Sequence, residues 1–349
     1  MVIVVGPVPL GVVAACVVLF VPMGMAGYHL SRNKVLFFGG ALFIALAVAV
    51  HLSPYFPSVS EIVHSLSSVP TSPSVSAPDD RSHCLPFLHH LVWIGDVNRS
   101  WTWSGSTAVI DCGLQKLRRS DACDLLNGSY VLVAGDSQAR LFVLSFLDLV
   151  LEPEQMESVH GDLFKRHSDY SIVIEQHGLR LDFVWAPYAS NLTSLMTGLV
   201  LGERRWPDVL VMGSGLWHML HFTDASGFAA SLNSLRRSVV SLPPLESEPA
   251  RPMHMFWLGL PRLVNSLLNT EEKRQRMNGS IVGAYDQALI ESGLLRRLGG
   301  PMLLLDVGVL SSSCGVECTE DGMHYSGPVY DAAVQIMLNA LLIESRQRI

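Results

Sequence analysis

The sequence predicts an α/β fold in which a mostly parallel sheet is covered by helices on both faces, preceded by one or two N-terminal transmembrane segments. Near-continuous apolar runs of strand length recur at 130–134, 181–185, 208–212, 253–258 and 302–306. Helical patterns separate several of them, at 138–151, 226–240, 280–296 and 328–345. Strands apolar along their whole length are buried on both sides, which is the condition of a parallel sheet between two helical layers. Chemistry on such a sheet gathers at the carboxyl ends of the strands, and Gly135-Asp136-Ser137 directly follows the first run.

From the N-terminus, the 349-residue chain is 49% hydrophobic and only 16% charged, and the apolar excess lies at the front. Residues 2–26 contain no charged side chain and residues 35–52 none apart from His51. Each run is long enough, or nearly so, to cross a hydrocarbon core of about 30 Å. Gly6, Pro7, Pro9 and Gly11 weaken the first run, which leaves the count at one or two. A cleaved signal peptide fits less well: no charged segment precedes the first run, and the second follows almost at once. Arg32 and Lys34 are the only Lys or Arg residues before Arg81. They hold the short loop between the runs in the cytosol and send everything beyond Leu52 to the lumenal side.

Residues 53–80 are rich in Ser and Pro with little to bury, and read as a flexible stem. From 81 to 349 one compositional regime continues without a second linker, so the chain divides into an anchor (1–52), a stem (53–80) and one globular domain (81–349). Four Asn-x-Ser/Thr triplets, at Asn98, Asn127, Asn191 and Asn278, agree weakly with a lumenal domain. Of six cysteines, Cys16 lies in the first apolar run. Cys84, Cys112, Cys123, Cys314 and Cys318 remain as disulfide candidates in an oxidising compartment, and an odd number permits at most two intradomain bonds. The net charge of −7 and the lack of a basic patch argue against a nucleic acid partner.

Gly135-Asp136-Ser137 alone also fits a strand-to-helix turn in which Asp136 or Ser137 caps the next helix. That account leaves Asp321-Gly322-Met323-His324 unexplained. A serine hydroxyl needs an imidazole to take its proton and a carboxylate to orient that imidazole. Asp321 and His324, three residues apart on one loop, supply both. If Ser137 opens a helix, the free N–H groups there offer oxyanion donors. Gly213-Ser214-Gly215 follows the 208–212 run and is expected at the same edge of the sheet. Trp217 and His218 behind it read as a substrate platform or second base, and equally as packing at the edge of the core. The remaining lumenal histidines, at 83, 89, 90, 160, 167, 177, 221 and 254, have no partner spacing and are expected to be structural. Cys314-x-x-x-Cys318 followed by His324 has too few ligands for a zinc site, and a disulfide bracing that loop is the expectation. The run 271–276 is expected to be a solvated helix end.

Gly-Asp-Ser near the start of the domain and Asp-x-x-His near its end resemble the first and last signature blocks of the SGNH/GDSL hydrolase superfamily. The fuller string Gly135-Asp136-Ser137-Gln138-Ala139-Arg140, with Arg three residues after Ser, is similar to its O-acetyltransferase branch, of the PC-esterase type. Trp101-x-Trp103, Cys112-Gly113-Leu114 and Leu126-x-Gly128 resemble the segment before the nucleophile in plant trichome-birefringence-like polysaccharide acetyltransferases. Residues 181–187, 207–211, 254–257 and 321–324 look more like sialate O-acetyltransferases. The resemblance spans about residues 84–343 and implies an SGNH-hydrolase-like three-layer α/β/α fold.

It implies further that Ser137 is the acetyl-accepting nucleophile, His324 the general base and Asp321 its orienter, with Asp136, Arg140, Gly213 and Gly215 serving the oxyanion or substrate region. Two features depart from the pattern. The Gly-x-Asn-Asp block appears as Gly213-Ser214-Gly215-Leu216 without Asn, and the polytopic domain fused to sialate enzymes is missing. The expected protein is a Golgi or other secretory-membrane glycan O-acetyltransferase. A lumenal esterase using water instead of a sugar, or a silent glycan-binding relative, are its rivals. No cofactor or metal is expected to be bound; acetyl-CoA or an acetylated carrier is the expected co-substrate. Expected partners are a glycan acceptor, the membrane and a separate polytopic acetyl-donor transporter.

Overall fold

The computed structural model describes residues 81–95, 99–241 and 253–345. The anchor at 1–52, the stem at 53–80 and the sequon at Asn98 lie outside the described residues. Among the described residues no helix is long and apolar enough to cross a membrane.

The strands are β1 (Leu91–Ile94), β2 (Ser100–Trp103), β3 (Tyr130–Gly135), β4 (Tyr170–Ile174), β5 (Leu179–Trp185), β6 (Val209–Met212), β7 (His254–Leu258) and β8 (Leu303–Leu305). Helices α1 (Thr107–Asp111) and α2 (Arg119–Leu125) precede β3, and α3 (Ser137–Val150) and α4 (Pro153–Leu163) follow it. Then come α5 (Ala189–Val200), α6 (Leu216–His221), α7 (Ala225–Val240), α8 (Glu271–Arg276), α9 (Gly279–Glu291), α10 (Val307–Cys314) and α11 (Gly327–Ser345).

Six strands form one sheet in the order β4-β5-β3-β6-β7-β8, with β1 and β2 paired as a separate antiparallel hairpin. Every pairing in the large sheet is parallel except β4 with β5. All six residues of β3 are buried, because its side chains alternate between two cores. Val131 and Val133 enter the core beneath α3 and α11, and Leu132 and Ala134 the one beneath α5, α7 and α9. The same alternation repeats in β6 (Val209 and Val211 against Leu210 and Met212). This two-sided burial erases the polar alternation an exposed strand would show.

The α3 helix turns Ala139, Phe142, Val143, Phe146, Leu147 and Val150 to the core, at the spacing of one helical face. The α11 helix is buried around nearly its whole circumference, and is apolar on all sides for that reason. Its polar interior residues have partners: Gln335 and Asn339 bond the main chain of Leu117 and Gln115. The 280–296 helical pattern stops at Glu291; the turn beyond it is a 3-10 segment, Arg296–Leu298. The 271–276 segment is the short helix α8, with Glu271–Arg274 and Glu272–Arg276 pairs on its surface. Edge strand β4 is half-exposed, so it lacks the continuous apolar run that announces the central strands.

Two disulfides form, Cys84–Cys112 and Cys314–Cys318. Cys123 corrects the expectation: it is a buried free thiol, pushed up in pKa by burial. The arithmetic of an odd cysteine count holds, with two bonds and one thiol left over, but which member stays unpaired is not readable from sequence. His83, Cys84 and Cys112 cluster closely, yet the two sulfurs are joined and offer no thiolate ligands.

Candidate active site

Strand β3 ends at Gly135, and a Cβ there would meet the Gly213 carbonyl oxygen at 2.6 Å and Ala139 Cβ at 2.7 Å. Only glycine lets the end of β3 pass so close to the loop after β6. Asp136 then breaks the strand as the N-cap of α3, its Oδ1 accepting from Gln138 N at 2.9 Å. Ser137 is the first helical residue, at the carboxyl edge of the sheet, where the opening N–H groups of α3 have no partner within the helix.

Asp321 and His324 sit on the loop between α10 and α11. Asp321 Oδ1 accepts from the backbone N–H groups of Met323 (3.0 Å) and His324 (2.8 Å), and Oδ2 lies 2.6 Å from His324 Nδ1. His324 Nε2 lies 2.7 Å from Ser137 Oγ. With the Nδ1 proton donated to Asp321, Nε2 is the lone pair that faces the serine hydroxyl. Burial pushes the Asp321 carboxyl up, but the His324 ring and the two backbone donors outweigh it and hold the group well below the usual carboxylate range. Gly322 has φ +79°, and a Cβ there would meet the Val264 carbonyl oxygen at 2.4 Å. Thr319 Oγ1 donates to the His324 carbonyl at 2.8 Å and accepts from Gly322 N. The Cys314–Cys318 bond closes the turn just before this loop.

Gln138 ties the two halves together and was not singled out from sequence. Its Nε2 donates to the Met323 carbonyl at 3.0 Å, and the Tyr330 hydroxyl donates to its Oε1. The signal was present: an amide beside the nucleophile at a buried helix position where an apolar residue would be ordinary.

The other candidates fall differently. Asp136 is buried and used as a cap, with a carboxyl raised to about 6 by burial. Gly213 is no oxyanion donor, because its N–H bonds Ala134 O at 3.1 Å in the β3–β6 ladder. Gly215 opens α6 at φ +140°, a conformation that excludes a side chain. Ser214 between them is buried, and its Oγ has no partner among the described residues. His218 packs at the edge of the core: its Nδ1 lies 2.6 Å from Tyr285 Oη, and burial lowers its pKa.

Trp217 is half-exposed and meets Trp185 edge-to-face, centroids 5.6 Å apart. Arg140 is 7% exposed, with its guanidinium carbon 4.7 Å from the Trp185 ring centroid. Of the sequons, Asn127 is exposed, whereas Asn191 and Asn278 use their carboxamides to cap α5 and α9. Several histidines without partner spacing do hold structure: His89 Nε2 accepts from Asp306 N at 3.1 Å, and His254 pairs with Glu344.

A mostly parallel α/β/α sandwich with serine, histidine and aspartate joined at the carboxyl edge of its sheet defines an SGNH-type protein. The chain is 50% identical to ALTERED XYLOGLUCAN 9 of Arabidopsis thaliana over 98% of its own length and 99% of the relative's. It therefore belongs to that protein's family, the trichome-birefringence-like, O-acetyltransferase branch of the SGNH/GDSL superfamily. No family model matches the sequence. Among solved structures, an acetylxylan esterase of Geobacillus stearothermophilus is 14% identical, covering 65% of this chain and 96% of its own at TM-score 0.37. A carbohydrate acetylesterase of Sinorhizobium meliloti is 11% identical, covering 61% and 97% at TM-score 0.36.

Proposed function

We propose that the chain transfers an acetyl group to a sugar hydroxyl through an acetyl-Ser137 intermediate. The observation that carries this reading is the continuous hydrogen-bonded line from Asp321 through His324 to Ser137 Oγ, in a chain of an O-acetyltransferase family. In the first half-reaction Ser137 Oγ attacks the acetyl carbonyl of the donor while His324 Nε2 takes the hydroxyl proton. Collapse of the tetrahedral intermediate expels the donor's leaving group, to which His324 returns that proton. In the second half-reaction His324 deprotonates a sugar hydroxyl, which attacks the acetyl-serine; the ester oxygen of Ser137 leaves and is reprotonated. Asp321 stays ionised and stabilises the imidazolium formed in each half. The Ser137 N–H at the opening of α3, the Gln138 N–H being held by Asp136, is a donor for the oxyanion in place of the missing Asn.

The donor is acetyl-CoA or an acetylated carrier, delivered with the help of a polytopic transporter. The domain faces the lumen of the Golgi or another secretory compartment, held to the membrane by the 1–52 segment. The relative's name speaks of xyloglucan, and xyloglucan is the first acceptor we assign. Incubating the full-length chain with an acetyl donor and xyloglucan oligosaccharides, with mass spectrometry of the products, tests the reading. Acetylated oligosaccharide is expected; free acetate as the sole product with every glycan would make the protein an esterase.

A further inference from the structure

Beside the nucleophile stands a partly exposed aromatic wall assembled from three separate segments. Trp185 ends β5 and is the register partner of Gly135, two residues before Ser137. Trp217 lies in α6, behind the loop that follows β6. The strand carrying the nucleophile is therefore flanked on both sides by a tryptophan at its carboxyl edge. The His167 ring stacks on Trp185 at 4.9 Å and meets Trp217 edge-on at 5.0 Å. His167 holds a left-handed backbone, φ 53°, a conformation a non-glycine residue keeps only where its surroundings impose it. Two residues on, Asp169 accepts from Trp185 N at 2.8 Å and ties this loop to the end of β5. Tyr188 and Phe222 extend the wall from the far side of Trp217, and Phe222 is 63% exposed. Large rings gathered and left in water beside a reactive serine mark a binding surface.

Arg140 adds the polar half. Its side chain is buried against Trp185, Phe183 and Phe164, and its Nε and Nη2 have no hydrogen-bond partner among the described residues. These two nitrogens share one edge of the guanidinium, the edge that grips a pair of oxygens side by side. The surrounding π-systems offset part of the cost of burying the charge, but two buried donors left unpaired remain costly. A ligand supplying two adjacent oxygens relieves that cost.

We propose, resting on the transferase reading, that Trp185, Trp217 and Arg140 form the subsite for one neutral pyranose residue of the acceptor glycan. The C–H face of the sugar ring lies on the half-exposed Trp217 and against the edge of Trp185, whose ring His167 and Arg140 already cover; a vicinal pair of its hydroxyls accepts from Nε and Nη2 of Arg140, buried donors that the incoming sugar must first uncover. A pyranose is suited to this surface because it carries an apolar face and a polar rim in one rigid ring. The subsite holds the acceptor next to acetyl-Ser137, which favours a sugar hydroxyl over water by raising its effective concentration.

The test is binding of xyloglucan and cello-oligosaccharides to the full-length chain with Ser137→Ala, followed by tryptophan fluorescence and by saturation-transfer NMR. Trp185→Ala and Trp217→Ala should each weaken binding at least tenfold, and Trp185→Phe should restore most of it. Arg140→Lys keeps the charge but loses the paired donors, so it should weaken binding as Arg140→Ala does. Unchanged thermal midpoints certify folding; should Trp185→Ala not fold, the surface variant Trp217→Ala and Arg140→Lys decide alone. Unaltered affinity in folded variants overturns the proposal. So does displacement of the oligosaccharide by acetyl-CoA alone, which would give the wall to the donor, or binding restricted to uronate-containing sugars, which would give Arg140 to a carboxylate. Trapping of acetyl on Ser137 in the unsubstituted chain by an aryl acetate reports on the transferase reading separately.

Discussion

The side-chain amide of Gln138 donates to the main-chain carbonyl of Met323 across 3.0 Å, joining the residue after the nucleophile to the residue before the base. The α3 helix and the 319–326 loop lie far apart in sequence, and this bond fixes their relative height. Positioning errors of about 1 Å cost on the order of 10²-fold in rate.

Gln138→Leu should therefore lower kcat for acetyl transfer about 10- to 100-fold while leaving KM for the glycan near its original value. It should also cost about 1–3 kcal/mol of stability, since the Met323 carbonyl and the Tyr330 hydroxyl lose a buried partner. Steady-state kinetics and denaturant unfolding check both halves. A folded variant with unchanged kcat would remove Gln138 from the positioning of the triad.

His324→Ala should reduce turnover by about 10³-fold or more, and Asp321→Asn somewhat less, because the imidazole then loses its tautomer and orientation but not its nitrogen. Combining either change with Ser137→Ala should add almost nothing, since the three act as one unit. Additive losses would show that the line of hydrogen bonds is not a catalytic unit.

Stability should respond to pH through Asp136. Its carboxyl sits at about 6 in the folded chain because it is buried, against about 3.9 when unfolded. A raised acid stabilises the fold only while protonated, so its contribution is full below about pH 4 and is lost as pH rises through 6. Asp136→Asn keeps the cap without the charge. The variant should match the original chain near pH 4 and exceed it by about 3 kcal/mol at pH 7, at about 1.4 kcal/mol per pH unit. A difference independent of pH in urea melts would contradict the assignment.

Glycan addition should occur at Asn127, whose side chain is exposed in the turn before β3. Asn278, by contrast, accepts from two backbone N–H groups at the start of α9 and donates to the Gln275 carbonyl. Endoglycosidase should raise the gel mobility of the expressed protein, and Asn127→Gln should reduce that change. Digestion of the domain by protease in intact microsomes would place it on the cytosolic side instead.

What could be read from sequence divides along physical lines. The central strands β3, β6 and β7 announce themselves because burial on both faces leaves no polar residue to interrupt them. Edge strand β4 has one exposed face and was missed. Ser137, Asp321 and His324 were recognisable as residue types in fixed local spacing, but their meeting is a tertiary fact across 187 residues. Trp185, His167 and Arg140 carry no shared spacing at all, since the end of β5, the loop before β4 and the first turn of α3 bring them together. Gly213 misled because its N–H, free in a string of letters, belongs to the sheet. Cys123 is the unpaired member because pairing depends on tertiary distance, which a count of five cysteines does not display.

Intact-mass and peptide mass spectrometry of the full-length chain, quenched after brief exposure to acetyl donor without and then with xyloglucan oligosaccharide, tests the central claim most directly. The account predicts one acetyl group on the peptide containing Ser137, absent in Ser137→Ala, which disappears on adding oligosaccharide as acetylated sugar forms in equal amount. Acetylated sugar produced by the Ser137→Ala chain, or acetyl-Ser137 that decays only to free acetate with every glycan, would contradict it.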